Sequence, residues 1–495
     1  MLSNFRFPFH LVNKKNAFLF VLIVSFFLCF IKLGGESVND WDEARNGVNA
    51  FEMLQNHDFI NLYYNQEPDT WNNKPPLLIW LIALSYKIFG FNEFALRFPS
   101  AVATIIFFIF FFKLICLYEE PLFAVLACII LFSTKSIIGA HVGRTGDFDA
   151  LLICFLIIAA YYFLLYADSF KPVNIYLSSV FLGLGFLTKG TASLLLLPGF
   201  LIYLIINKKF RSTVTGIHTL FSALLYLVFV AGWIFCVYHF GKTYNPESSE
   251  FHHRNAIETL FIHDTFYRLT SHSPDPGYDH NWFYFFRVID AKLNVWSYLF
   301  FLTMIVLTMK FFRMQPGQFS NLLSIENKLF SFSLIQSFTV GLILTLSVNK
   351  LPWYLAPALP FIAIIIAYGA KYFFYSVRFF NVILYVLILF TFTRNFVFLV
   401  QPHTELKDFF SKNRETIEKY NKVCIIHQPS QSYFLYLEWN FAEIIPRFKS
   451  SQSNLTESDA IFCFNKNNKE ALKYKTTACF GDYCLGEKQT LKANE

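Results

Sequence analysis

An acidic pair with catalytic potential follows the first long apolar run of the chain. The stretch reads Asp42-Glu43-Ala44-Arg45. Two adjacent carboxylates can act as a general base, bind a cation or hold a substrate hydroxyl. The alternative is the solvated start of a short helix, because Asp and Glu stabilise the positive end of a helix dipole. The spacing of the pair fits both interpretations.

Two lysines precede prolines at the ends of other apolar runs. Lys74 comes directly before Pro75 and Pro76, and Lys350 lies two residues before Pro352. Proline can begin a helix, and a lysine beside a helix N-terminus at the membrane boundary is well placed to bind a lipid phosphate. Two such lysines on one face can hold a phosphate or diphosphate together. The alternative for each is a lysine that extends its charged end to the interface.

A second acidic stretch, RTGDFD, covers residues 144–149. Carboxylates at the mouth of an apolar helix are costly unless they are paired or used in function. Arg144 is a candidate structural partner for Asp147 and Asp149. Otherwise the two carboxylates line a polar cavity.

Histidines are frequent in the segment 241–293, which also contains Arg268. Histidine can bind a metal or orient a phosphate, and His280 is one candidate. The irregular spacing of the histidines does not predict a zinc site, and solvated loop histidines are the alternative.

Only 15% of the 495 residues are charged, whereas 55% are hydrophobic and 20% are aromatic. A soluble domain carries about 25% charged residues. Repeated apolar runs of about 20 residues are typical of membrane-spanning helices, which satisfy their own backbone hydrogen bonds. We therefore interpret the chain as a polytopic, all-α membrane protein. We attribute its net charge of +7 to cytoplasmic loops and expect no nucleic-acid partner.

The positions of lysine and arginine clusters predict a topology, because such clusters mark the cytoplasmic side. The expected number of membrane-spanning helices is about 11 to 13. The run Leu77–Phe89 is short for a crossing and would invert the later loops, so we place it along the outer membrane surface. The predicted crossings are 17–33, 97–116, 121–139, 150–167, 173–188, 191–206, 217–240, 294–312, 329–348, 352–370 and 379–400.

This topology places the segments 34–76, 140–149 and 241–293 on the extracytoplasmic side, within a transmembrane catalytic domain of residues 1–400. Residues 401–495 mix β-like and helical stretches, which predicts a small extracytoplasmic α/β domain. An oxidising compartment would permit a disulfide there. The candidate cysteines are Cys424, Cys463, Cys479 and Cys484.

In this order, the motifs resemble GT-C glycosyltransferases of the protein O-mannosyltransferase and aminoarabinose lipid A transferase type. The resemblance covers about residues 38 to 370 and implies the GT-C fold. It also implies an inverting transferase that moves a hexosyl or pentosyl group from a polyprenyl-phosphate donor to a hydroxyl on a glycolipid, glycan or protein. The expected location is the outer face of the cytoplasmic membrane. The resembling stretches are DEARNGVNAFEMLQNHDFI, NKPPLLIWL, FGFNEFALRFPSA, RTGDFDALL, GLGFLTKG, RLTS and NKLPWYLAPALP.

The resemblance also implies roles for individual residues. Asp42 is similar to the family's catalytic base, with Glu43 beside it, and Lys74 to the lysine that holds the carrier phosphate. Asp149 and Asp147 match the second acidic position. Arg45 and Lys350 are expected to assist at the phosphate, and the further candidate cavity residues are Arg144, Arg268 and His280.

The expected metal content follows from one departure from the family. In the aminoarabinose transferases a glutamate before the phosphate-binding lysine helps to hold a metal, whereas this chain has Asn73. Asparagine is a poor zinc ligand. We therefore expect no required cofactor and leave the presence of a divalent metal undecided.

Two other function classes compete with the enzyme. One is a transporter or flippase of a lipid-linked envelope precursor, and the other is a structural subunit of an envelope complex. Transporters usually show inverted repeats and ionisable residues near the middle of the membrane. The apolar runs here are almost free of charge and no repeat is visible, which favours the enzyme. The sugar, the acceptor and the length of the carrier are not identified by the sequence.

Overall fold

Long apolar helices make up most of the structure, a computed structural model. It describes residues 13–69, 74–134, 136–139, 141–242, 256–271, 278–312, 328–374, 389–391, 393, 404–420, 422–425, 431–440, 460–465 and 474–488. The helices are α1 (Lys14–Phe30), α2 (Asp42–Asn56), α3 (Leu77–Phe89), α4 (Glu93–Ile115), α5 (Pro121–Phe132), α6 (Phe148–Ser169), α7 (Pro172–Lys189), α8 (Leu197–Ile206), α9 (Phe210–Val214), α10 (Ile217–Phe240), α11 (Tyr284–Leu293), α12 (Val295–Phe312), α13 (Lys328–Leu346), α14 (Leu359–Phe374), α15 (Glu405–Lys412) and α16 (Gln431–Asn440).

Shorter elements connect these helices. Two 3₁₀ turns precede α8 and α14, a helical segment with a π-helical centre follows α10, and one short helix follows α15. The 3₁₀ turns are Gly190–Leu194 and Pro352–Ala358, and the short helix after α15 is Arg414–Ile417. The segment after α10 consists of Ala256–Glu258, the π-helical Thr259–Tyr267 and Arg268–Thr270. The strands are β1 (Tyr63–Tyr64), β2 (Glu67–Pro68), β3 (Lys422–Ile425), β4 (Ala460–Asn465), β5 (Tyr474–Phe480) and β6 (Tyr483–Lys488).

The helical membrane protein predicted from composition is confirmed. Six helices among the described residues are long and apolar enough to cross a membrane. α7 ends at Lys189, and the next residue, Gly190, has φ of +57°, which a side chain would disfavour. α8 begins only at Leu197 rather than at 191. The predicted crossing 379–400 lies mostly outside the described residues, so the total number of crossings stays a prediction.

α3 is the 13-residue helix expected from the run Leu77–Phe89. Its buried face includes Leu78 and Ile82, whereas Leu84 and Ile88 on the opposite side are 55% and 63% exposed. An exposed apolar face on a short helix suits the membrane surface. The placement of α3 along that surface stays a prediction.

The first loop is ordered by α2 and a small hairpin. Asn65 and Gln66 have φ of +57° and +62°, as the central residues of the tight turn that joins β1 to β2. The Asn49 side chain in α2 donates to the Tyr63 carbonyl at 2.6 Å and to Asp69 Oδ2 at 3.0 Å. These bonds hold the hairpin and the segment after it against α2.

The C-terminal segment forms a four-stranded sheet in the order β3-β4-β6-β5. β3 and β4 are parallel and the other pairs are antiparallel. A disulfide joins Cys479 in β5 to Cys484 in β6, as the cysteine content allowed. The small α/β domain is thereby confirmed, and its apolar residues continue the core of the helical bundle. The boundary between residues 400 and 401 stays a prediction.

The sheet domain contacts the first loop through α16. The Tyr436 hydroxyl donates to Glu93 Oε1 at 2.9 Å, and Ser432 donates from its hydroxyl and its backbone nitrogen to Asp40. At the same surface the carboxyl groups of Glu52 and Glu438 hydrogen-bond each other. Burial raises the pKa of Glu52 to about 7, and burial followed by the charge of Glu52 raises the pKa of Glu438.

The Glu52–Glu438 pair predicts that docking of the sheet domain weakens as the pH rises. A carboxyl whose folded pKa is raised binds more protons in the folded state, so its contribution is complete below about pH 4.5 and is lost as the pH rises through about 7. The free energy of docking of the sheet domain should change by roughly 1 to 3 kcal/mol over this pH range. Hydrogen exchange in α16 between pH 5 and 8 measures it.

Glu438→Gln should reduce this pH dependence, because only one of the two carboxyl groups, that of Glu52, can still titrate. Glu418→Gln, in the exposed pair with Arg414, is the matched control and should leave it unchanged. Equal pH dependence in the wild type and Glu438→Gln would contradict the assignment.

Candidate active site

A buried ion pair fixes the start of α2. Arg97 Nε in α4 lies 2.6 Å from Glu43 Oε1, and both side chains are 1% exposed. Glu43 also accepts hydrogen bonds from the backbone nitrogens of Asn39 at 2.9 Å and Gly146 at 3.1 Å. Burial alone would raise the pKa of Glu43, but the charge and hydrogen bonds of Arg97 outweigh it and the pKa is lowered. Glu43 is therefore a carboxylate that joins the first loop, α4 and the second loop.

The acidic pair predicted from sequence is thus divided between two environments. Glu43 is enclosed in its ion pair, whereas Asp42 is only partly buried. Trp41, directly before Asp42, has φ of +68°, a conformation that costs energy for a residue with a side chain. This placement gives no support to a catalytic role for Glu43, and that role stays a prediction.

Asp42 lies in a cluster with His141 and Asp147. One potential ligand atom from each residue lies within 4.8 Å of the others. His141 Nδ1 is 3.6 Å from Asp147 Oδ2, and the imidazole stacks on Trp353 with ring centroids 4.0 Å apart. Burial, followed by the charges of Asp42 and Glu43, raises the pKa of Asp147 well above its ordinary value, and burial lowers the pKa of His141.

Asp149, in the first turn of α6, forms a second charged group with Lys189. Lys189 Nζ donates to both carboxylate oxygens, at 2.6 and 2.7 Å. Lys189 is the last residue of α7, so the pair joins the start of α6 to the end of α7. Arg144, the partner considered for Asp149, does not fill that position.

Lys189 was not among the residues predicted for the site. Two signals for it were present in the sequence. It falls in the stretch GLGFLTKG, and the predicted topology places it between two crossings on the outer side. Lysines were considered mainly as markers of the cytoplasmic side, and Lys189 is a single lysine outside those clusters.

A cavity of about 310 Å³ opens beside this pair. Its polar side chains include Lys74, Asp149, Lys189 and Ser347. Lys74 Nζ also lies 4.9 Å from the centre of the Phe148 ring, a cation–π distance. The rest of the wall is mainly apolar and includes Leu152, Leu194, Leu195, Leu260, Leu269, Ile343 and Leu344. The cavity therefore combines two cations with a surface suited to a hydrocarbon chain.

Two predicted arginines make structural contacts outside the cavity lining. Arg45 forms a two-point ion pair with Asp69, at 2.8 and 2.6 Å. Arg144 donates to the carbonyls of Leu28 and Ile31, both at 2.8 Å. These carbonyls lie at the C-terminal end of α1, where a cation is favoured by the helix dipole.

Two further candidates, Lys350 and His280, lie near the cavity without lining it. Lys350 is buried and its Nζ donates to the Ser347 carbonyl at 2.6 Å. His280 is exposed and its Nδ1 is 3.0 Å from the Val348 carbonyl. The side chain of Arg268 lies outside the described residues. The roles of these residues stay predictions.

Comparison with known proteins agrees with this arrangement. Residues 73–235 match the family model of dolichyl-phosphate-mannose-protein mannosyltransferases. The structure aligns with that of ArnT from Cupriavidus metallidurans bound to undecaprenyl phosphate, with a TM-score of 0.69 over 96% of this chain and 99% of that chain at 14% identity. The chain therefore has the GT-C fold.

Curated relatives match shorter parts of the chain. A protein of Aquifex aeolicus (strain VF5) without a functional name is 26% identical over 351 residues, 71% of this chain and 63% of that protein. The undecaprenyl phosphate-alpha-4-amino-4-deoxy-L-arabinose arabinosyl transferase of Wigglesworthia glossinidia brevipalpis is 28% identical over 222 residues, 42% of this chain and 38% of that enzyme. The chain thus spans less than two thirds of either relative.

The Glu43–Arg97 pair predicts a large loss of stability when one partner is removed. Arg97→Met leaves the Glu43 carboxylate buried without its cation, which costs roughly 3 to 5 kcal/mol. Thermal unfolding of the purified protein in detergent measures the change. The double variant Glu43→Gln/Arg97→Met should recover part of it.

The matched control is Arg287→Met, because Arg287 pairs with Asp279 but is 63% exposed. Its expected effect is below about 1 kcal/mol. Equal effects of Arg97→Met and Arg287→Met would show that the buried pair does not hold the loops.

Proposed function

We propose that this protein is an inverting glycosyltransferase that moves a hexosyl or pentosyl group from a polyprenyl-phosphate donor to a hydroxyl acceptor. The observation that carries the proposal is the cavity that joins Lys74 and Lys189 to a leucine-rich wall. A polyprenyl phosphate has the same two parts, an anionic head and a long hydrocarbon chain. The undecaprenyl phosphate in the structure of ArnT supports this choice of donor.

The two lysines suit the leaving group of the reaction. When the sugar leaves its carrier, negative charge grows on the polyprenyl phosphate, and fixed cations stabilise that charge. Asp149 accepts both hydrogen bonds of Lys189 and so orients its ammonium group. We assign Asp149 as a positioning residue and Lys74 and Lys189 as phosphate-binding residues.

Asp42 is the residue that we propose as the base. The acceptor oxygen attacks the anomeric carbon from the side opposite the phosphate, its proton passes to the Asp42 carboxylate, and the bond to the phosphate oxygen breaks with inversion. Asp42 is only partly buried. Within the described part of the chain, no lysine or arginine is in ion-pair contact with Asp42, so its carboxylate can accept a proton.

The outer face of the cytoplasmic membrane is the proposed location of the reaction. The Cys479–Cys484 disulfide supports an oxidising compartment for the sheet domain. We propose a hydroxyl on a glycolipid, glycan or protein as the acceptor and no required cofactor. Neither the comparisons nor the described residues favour the transporter alternative.

Mass spectrometry of envelope glycolipids and glycoproteins tests the transferase. Cells with the wild-type protein should contain a species larger by one sugar residue, and cells without the protein or with Asp42→Asn should lack it. The substitution is isosteric, so the variant should remain inserted, and its rate should fall by about 10²- to 10⁴-fold. A species that disappears only with the whole protein would remove Asp42 from the base role. No change in any species would contradict the transferase.

Substitution of the cavity lysines tests donor binding. Lys74→Met and Lys189→Met should each raise the apparent KM for the lipid-linked donor by roughly 10- to 100-fold, because each removes a hydrogen bond to a charged group. Lys113→Met is the control, because Lys113 lies in the last turn of α4, is exposed and does not line the cavity. Unchanged KM values in both cavity variants would favour lysines that only extend to the interface.

A further inference from the structure

A second cavity, of about 370 Å³, lies between α12, α13 and α14. Two lysines line it, Lys310 in the last turn of α12 and Lys371 in the last turn of α14. Its apolar lining includes Val306, Leu307 and Phe330. This space, the α12–α14 cavity, therefore also combines two cations with an apolar surface.

The α12–α14 cavity is separate from the cavity beside Asp149 and Lys189. Phe330, near the start of α13, lines the α12–α14 cavity, whereas Ile343, near the end of α13, lines the other one. At about 1.5 Å per residue, these two residues lie about 20 Å apart along the helix. The predicted topology places the start of α13 at the cytoplasmic side. The proposed transfer reaction, at the outer face, leaves the α12–α14 cavity without a role.

The charges at this cavity are not balanced. Lys371 Nζ lies 2.9 Å from Glu119 Oε2, and the Tyr368 hydroxyl donates to Glu119 Oε1 at 2.7 Å. Lys310 Nζ instead lies 4.4 Å from the centre of the Tyr372 ring. Among the residues that the structure describes, no carboxylate is within ion-pair distance of Lys310. The cavity therefore has a surplus positive charge, which favours an anionic ligand.

An exposed apolar stripe on α12 ends beside Lys310. Its residues follow the spacing of one helix face, and each is between 45% and 71% exposed. They are Tyr298, Leu302, Ile305 and Met309. A hydrocarbon chain that lies along this stripe brings an attached head group to Lys310. The stripe therefore favours a lipid over a free anion.

The wall between α12 and α14 is fixed by a close contact of the two helices. A Cβ atom on Gly369 would overlap the Thr303 hydroxyl, so the absence of a side chain at this position permits the approach. The same packing places Lys310 of α12 over the Tyr372 ring of α14. The position of the surplus charge thus follows from how the two helices pack.

We propose that the α12–α14 cavity binds the phosphate of an anionic phospholipid, whose chains lie along the exposed face of α12. Basic pockets between membrane helices at the cytoplasmic side suit anionic head groups, and lysine contacts phosphate as a point charge. A zwitterionic head group gains less, because its own cation repels the lysines. The proposal concerns neither the sugar donor nor the acceptor, so failure of the proposed transferase would leave it standing.

Native mass spectrometry of the full-length protein in detergent tests the site, with dioleoylphosphatidylglycerol as the anionic probe and dioleoylphosphatidylcholine as the zwitterionic probe. The wild type should retain one phosphatidylglycerol that Lys310→Met loses. Titration should show an affinity at least about 5-fold lower in Lys310→Met and in Lys371→Met. Lys310→Arg should bind as the wild type does, because it keeps the charge. Phosphatidylcholine should bind equally to all four proteins.

Lys113→Met is the matched control for the lysine substitutions. Lys113 also lies in the last turn of its helix and over an aromatic ring, 5.0 Å from the centre of Phe110, but it does not line the cavity. This variant should bind phosphatidylglycerol as the wild type does. Size-exclusion chromatography confirms that each variant is folded, and if Lys310→Met does not fold, Lys371→Met decides the outcome.

Three results would overturn the proposal. One is that the folded cavity variants bind phosphatidylglycerol as tightly as the wild type. Another is that the wild type binds both lipids equally well. The third is that inorganic phosphate at the same concentration displaces the phosphatidylglycerol, which would indicate a site for free phosphate.

Discussion

The buried ion pair between Glu43 and Arg97 is the constraint on which the candidate site depends. It sets a carboxylate at the start of α2, and Arg97 also donates to the carbonyls of Leu33, Glu36 and Ser37. Glu43 in turn accepts from Gly146, next to Asp147. One ion pair therefore fixes both loops that carry the acidic residues. Its desolvation is costly, and the several hydrogen bonds that it makes offset that cost.

The cavity beside Asp149 and Lys189 is built from the ends of α6 and α7 together with the segments around Leu260 and Ser347. Its charged residues lie at or beside helix ends, and its apolar residues lie along helices or in and directly after the 3₁₀ turn that follows α7. The fold thus separates a cationic surface, which suits a phosphate, from an apolar surface, which suits a hydrocarbon chain. The short gap between α7 and α8 is important for this arrangement, because it places Lys189 at the rim.

The sequence predicts the helical membrane fold because apolar runs and charge clusters are local properties of the chain. It predicts Asp42, Lys74 and Asp149 near one another because all three follow or precede such runs on one side. It does not predict the partners of Glu43 or Arg144. Arg97 and Glu43 are 54 residues apart, and Arg144 contacts α1 rather than its neighbouring carboxylates. Such pairings depend on how helices pack, which periodicity does not specify.

The α/β character of the C-terminal segment was also predictable, whereas its contact with α2 was not. The hydrogen bond between Glu52 and Glu438 joins residues that look like ordinary surface carboxylates in the sequence. Both carboxyl groups are buried where α2 contacts α16, and this burial raises the pKa of each. The same applies to His141, whose position beside Asp42 depends on the loop conformation and on the stacking on Trp353.

Photo-crosslinking with a polyprenyl phosphate that carries a photoreactive group on its chain tests the central claim most directly. The claim is that the cavity beside Asp149 and Lys189 holds the donor's carrier. The predicted crosslinks are to the apolar wall, at Leu194, Leu195, Leu260, Ile343 and Leu344, and excess unlabelled polyprenyl phosphate should suppress them, whereas the uncharged polyprenol should not. Crosslinks confined to other helices, or equal competition by the uncharged polyprenol, would contradict the claim.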